Sequence, residues 1–166
     1  TNSRILLFFI ERNIISFDQI KSHFYIRNYD YFSPYINHNF REIPLEYKKN
    51  MEKGENENMI CELIRSDSID EFVSYVNQTN TKLESQIPNS NFDTNSYFSY
   101  VNPTLIEYAA FHGSIEIFQF LRFNGIELTQ SLWYYAIHGR NADIIHLLEE
   151  NQILPYSYQN CLKEAI

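Results

Sequence analysis

Part of this chain repeats itself. Residues 104–125 are followed by a degenerate copy at a shift of 27 residues. Tyr108-Ala109 returns as Tyr135-Ala136, Glu116-Ile117 as Asp143-Ile144, Leu121 as Leu148 and Asn124 as Asn151. Self-similarity at a period of tens of residues marks a stacked repeat. Thr104 and Ser131 stand where short helices would begin, each offering an oxygen to orphan N–H groups. Ala109-Ala110 are small and let a paired helix approach closely. Gly113 ends the first helix and allows the positive φ of a tight turn. Ile115, Phe118, Phe120 and Leu121 then form a helical apolar stripe, and Asn124-Gly125 closes the second helix. Such a pair cannot bury its own apolar faces and needs a neighbour on each side.

An earlier pair is expected over 57–65 and 68–77. Ile69-Asp70 aligns with Ile115-Glu116, Phe72 with Phe118, and Asp67 with Gly113. Asp tolerates left-handed backbone better than most residues. Glu164-Ala-Ile166 aligns with Tyr135-Ala-Ile137, which suggests a fragment cut inside a longer array. Nearer the N-terminus, residues 4–12 read as a helix with Ile5, Leu6, Phe9 and Ile10 inward and Asn13 as its stop. Ser16 precedes a second helix at about 17–28, with Phe17, Ile20, Phe24 and Tyr25 on one face. This hairpin would cap one end of the stack, or would be a poorly conforming repeat itself. Residues 29–58 are irregular, interrupted by Pro34 and Pro44. Lys48–Asn58 is expected to be a solvated linker or the exposed start of a helix.

Net charge is −8. That disfavours non-specific nucleic-acid binding and docking on an anionic membrane. The apolar run Ile5–Ile10 is too short for a signal core or a spanning helix. Cys61 and Cys161 fit no metal-ligand or redox spacing, and a reduced cytoplasmic protein is the simplest expectation. Thirteen Tyr and thirteen Phe against four Gly accompany heavy use of Asn, Ile and Lys. A/T-rich codons account for part of that, so the aromatics do not by themselves mark a binding device.

No catalytic signature is present: no G-x-S-x-G, no Gly-rich phosphate loop, no H-E-x-x-H, no paired cysteines. An enzyme is not expected, and no cofactor, metal or small-molecule substrate is implied. His138 and His146 fall on different helices of one repeat, His112 ends its own helix, and His23 and His38 are isolated. Glu149-Glu150 read as a solvated face. Trp133 and Tyr135 are expected in packing, with Tyr134 outward.

The repeat resembles the ankyrin repeat, whose pattern runs T-P-L-H-x-A-A-x-x-G-x-x-x-I/V-x-x-L-L-x-x-G. Thr104, Ala109, Ala110, Gly113, Ile117, Leu121 and Gly125 match it. Leu105 and Glu107 depart from it, and in the second copy Ile137, Arg140 and Gln152 replace an Ala and two Gly. The flanks, from Ile64 to Asn77, from Pro103 to Ala110 and from Leu132 to Asn141, resemble more specifically the domain of unknown function that accompanies ankyrin repeats in large families of parasitic protists. The resemblance implies an all-α, ankyrin-like solenoid of helix-turn-helix repeats with an N-terminal helical cap and no established activity. The expected layout is a cap and linker over 1–58 and degenerate repeats over 59–166, at about 59–77, 104–126 and 131–153, with another starting near 160. The Asn-, Ser- and Thr-rich insert at 78–102 is too long for an ordinary connection. In ankyrin-like arrays it would project as an extended finger, either a functional loop or variable filler.

The resemblance also implies a use. Ankyrin proteins touch partners through the loop tips before the first helix and through the variable residues after Ala-Ala. By position these are Tyr100, Val101, Pro103, Phe111 and His112 in the first copy, and Gln130, Tyr134, His138 and Gly139 in the second. The expectation is a non-catalytic protein–protein interaction module of a larger ankyrin-repeat protein, with an unidentified protein partner on its concave face. The alternative is a structural cap or spacer that keeps a longer array soluble.

Overall fold

The computed structural model describes residues 3–16, 18–19, 32, 44–95, 97–98 and 101–166. Among these residues the regular structure is helical, with no strand and a single isolated bridge between Gln86 and Thr104. No helix among them is long and apolar enough to cross a membrane. The chain divides into two compact units. One comprises the described residues of 1–57 and 89–101, the other 58–88 and 102–166.

The first unit contains α1 (Ser3–Glu11) and α2 (Leu45–Lys53). Its core is Leu7, Ile10, Phe32 and Met51, with Leu6, Ile15, Tyr47 and Phe92 packed around it. Leu7 and Ile10 lie three apart and share one helix face. That face is rotated from the expected one: Ile5 is exposed and Phe9 half-buried, while Leu7 points in. Asn13 does stop α1, with φ at 53°. Ser16 and Gln19 exchange backbone-to-side-chain bonds of 2.8 and 3.3 Å in the manner of a helix start, but most of the expected helix at 17–28 lies outside the described residues, as do His23 and His38.

Of the two expectations for Lys48–Asn58, a solvated linker or the exposed start of a helix, the structure favours a helix over its first part, and that helix, α2, begins earlier, at Leu45. Met51 supplies an anchor that the polar residues hid, and Gly54 ends the helix in left-handed conformation. The insert also differs from a projecting finger. Phe92 packs edge-on against Tyr47 at 4.8 Å, and the backbone N–H and hydroxyl of Thr94 both donate to the Gly54 carbonyl at 3.0 Å. Ser90 donates to the Glu57 carboxylate. Ser90, Phe92 and Thr94 are thus structural parts of the first unit. Polar composition marked them as loop but carried no sign of the packed aromatic.

The second unit is a series of helix pairs: α3 (Met59–Arg65) with α4 (Ile69–Thr79), α5 (Leu105–His112) with α6 (Ile115–Phe123), α7 (Leu132–Gly139) with α8 (Ala142–Glu150), and then α9 (Tyr158–Glu164). The first helices pack in order, α3 on α5, α5 on α7, α7 on α9. The second helices do the same, α4 on α6 and α6 on α8. Phe72, Ile117, Phe118, Leu121, Ile144 and Leu148 are buried on the second helices, and Leu105, Tyr108, Ala109, Ala110, Leu132 and Ala136 on the first. Ala109 and Ala110 are wholly enclosed, as a close-packed pair requires.

Each turn inside a pair is made by one left-handed residue: Asp67 (φ 50°), Gly113 (φ 70°) and Arg140 (φ 51°). Side chains tie neighbouring pairs across these turns. The Asp67 carboxylate accepts from the Glu116 and Ile117 amides at 3.0 Å, capping α6 from the preceding pair. Ser114 donates to the Ile64 carbonyl at 2.5 Å, and Asn141 donates to the Gly113 carbonyl at 2.9 Å while capping α8 with its own oxygen. At the other edge, Thr104 and Glu107 form a capping box on α5, and Ser131 donates to Glu107 at 2.8 Å. Trp133 is buried and its indole donates to the Ile153 carbonyl at 2.7 Å.

Candidate functional site

Arg65, Phe111 and His138 occupy the same place in three successive pairs, two residues before the left-handed turns at Asp67, Gly113 and Arg140. Because the first helices pack in order, these residues and their neighbours form a row at the helix C-terminal ends. The Arg65 guanidinium donates to the Tyr108 hydroxyl at 2.9 Å. The Tyr108 ring stands 4.4 Å from His112, His112 stands 5.2 Å from Phe111, and Phe111 lies 5.1 Å from His138 with the planes tilted by 32°. His138 Nε2 donates to the Glu164 carboxylate at 3.0 Å. The row therefore begins with a cation on α3, crosses rings on α5 and α7, and ends with a carboxylate on α9.

From Tyr108 onward burial falls along it. Tyr108 is buried, Phe111 and His112 are half-buried, and the side chains of His138 and Glu164 are 29% and 41% exposed. Burial, reinforced by the nearby positive charge of Arg65, lowers the pKa of His112 to about 4. His112 is therefore a neutral imidazole at neutral pH, and its ring packs as an aromatic between Tyr108 and Phe111.

The structure brings Phe111, His112 and His138 together. Tyr134 lies four residues before His138 on the same face of α7 and is half-buried. Gln130 is exposed in the loop before α7, and Val101 is exposed in the first unit. Pro103 is buried, and its carbonyl accepts from Ile87 at 2.7 Å. Gly139 is a packing residue: a Cβ there would stand 2.1 Å from the Ala110 carbonyl oxygen. Tyr100 lies outside the described residues. His146 is on α8, exposed and bonded to Glu149 at 3.2 Å.

Arg65 and Glu164 were not among the expected site residues. Arg65 could have been found by counting back two residues from Asp67, as one counts back from Gly113 to Phe111. Nothing in the sequence alone signals Glu164, because its link to His138 depends on how α9 lies on α7. Among the described residues no group of three His, Cys, Asp or Glu side chains is placed to hold a metal.

Compared with known proteins, the chain matches no family model, no curated protein and no solved structure.

Proposed function

We propose that the second unit is an ankyrin-like repeat stack that binds another protein along the row at the ends of its first helices and catalyses no reaction. One observation carries this reading. The residue two before each turn differs freely between pairs, as Arg65, Phe111 and His138, while the turn geometry and the buried positions around it recur. A position that varies on a repeated frame and remains partly exposed is one where side-chain chemistry is not dictated by packing. Rings at such positions suit anchoring a partner. A reducing cytoplasm suits two buried cysteines held far apart in sequence.

The test is capture by the whole chain beside a Phe111→Ala/His138→Ala variant, with far-ultraviolet circular dichroism to confirm that both fold. Loss of a partner from the variant at unchanged helicity is expected. A partner set identical for both proteins would remove the binding face and leave the spacer reading in its place.

A further inference from the structure

The exposed end of the row has a chemistry of its own. Phe111 and His138 offer adjacent, partly exposed rings 5.1 Å apart, and Glu164 stands one hydrogen bond beyond His138. A carboxylate has about four lone-pair sites, and His138 takes one of Glu164's. A ring face beside a carboxylate suits a planar cation, which stacks on the ring while donating to the oxygens. Arginine fits better than lysine, because its guanidinium can stack and fork at the same time, whereas an ammonium is a strongly hydrated point charge. The net charge of −8 works in the same direction, drawing a basic segment toward the chain.

From this geometry we infer that Phe111, His138 and Glu164 form a recognition site for an arginine side chain of a partner peptide. The inference rests on the binding-face reading above and gives that face a partner chemistry. The arginine donates to the Glu164 oxygens while its plane lies against the His138–Phe111 ring pair beside them. His138 is a positioning residue, since its Nε2 bond holds the carboxylate beside the rings. Tyr134, one turn earlier on α7, extends the same face toward the partner's neighbouring residues.

The experiment uses the whole chain and a labelled Gly/Ser peptide carrying a pair of arginines, read by fluorescence anisotropy at low and near-physiological salt. The same peptide with lysine, and with glutamine, serves for comparison. Arginine should bind more tightly than lysine, and glutamine not at all. Glu164→Gln and Phe111→Ala should each weaken binding by about tenfold, the loss expected for one charge-assisted contact. Glu150→Gln removes an exposed charge on α8 away from the row and should change nothing. Equal weakening by Glu150→Gln and Glu164→Gln would mean bulk attraction and would overturn the site, as would equal affinity for arginine and lysine, or no binding of the arginine peptide. If the arginine peptide fails while Phe111→Ala/His138→Ala still loses a captured partner, the arginine assignment falls and the binding face stands. If both fail, the face falls with it.

Discussion

His112 shows how one residue's surroundings set its chemistry. Enclosed between Tyr108 and Phe111 and near Arg65, its pKa is lowered to about 4, whereas in the unfolded chain an imidazole titrates near 6.5. Between those values the unfolded chain binds a proton that the folded chain does not, so stability falls as pH falls. The full contribution is present above about pH 6.5 and is lost progressively toward pH 4. Discounted for partial exposure of the ring, the loss is about 1–2 kcal/mol by pH 5. Urea denaturation at neutral pH and at about pH 5 should show it as a difference between the native chain and His112→Gln, which cannot titrate. Parallel pH profiles would refute the assignment. The same turn region shows why the second repeat copy is faint in sequence. Arg140 and Gln152 adopt left-handed backbone, with φ of 51° and 57°, at places where the first copy has Gly113 and Gly125. Left-handed backbone costs a non-glycine residue roughly 1–2 kcal/mol, and the surrounding packing offsets it. The glycines of the first copy are absent there, while the left-handed conformation is kept.

At the level of the elements, Gly139 holds α5 and α7 in register. In an ordinary helix, exchanging glycine for alanine stabilises by roughly 0.5–1 kcal/mol, and Gly139 has no positive φ to protect. Here the added methyl would meet the Ala110 carbonyl at 2.1 Å, so the sign should reverse. Gly139→Ala is expected to lower stability by about 1–3 kcal/mol, the cost of overpacking, as measured by thermal or urea denaturation. Neutral or stabilising behaviour would mean that the two helices are not in this close contact. Helix existence in the second unit was readable because the capping Thr104, small Ala109-Ala110 and apolar Ile117 and Leu121 each mark a local preference. Partners across pairs were not readable. That Asp67 caps α6, or that Gly139 abuts Ala110, depends on how helices dozens of residues apart meet. In the first unit, the sequence leaves α2 between a linker and the exposed start of a helix, because its burial rests on Met51 and Tyr47 within a charged stretch.

Across the molecule, the two units differ in how openly the sequence declares them. The second repeats a frame, so each pair interprets the next. Among its described residues the first has a small core, and the described part of 89–101 returns to it from far along the chain. That return, carried by Phe92 and Thr94, has no periodicity to announce it. The exposed surface is uneven as well. Leu162 takes the place of Ile106 and Trp133 when Cys161–Ala165 is set against Leu105–Ala109 and Leu132–Ala136, yet it is 63% exposed where they are buried. The position of Trp133 has a practical consequence. It is the sole tryptophan of the chain, it is buried, and its indole is fixed to the backbone just beyond α8. Intrinsic fluorescence excited at the indole band is therefore a built-in optical reporter of the second unit. Its emission should be blue-shifted in the native protein and move to the red when α7 and α8 separate. The second unit can thus be followed spectroscopically without a label.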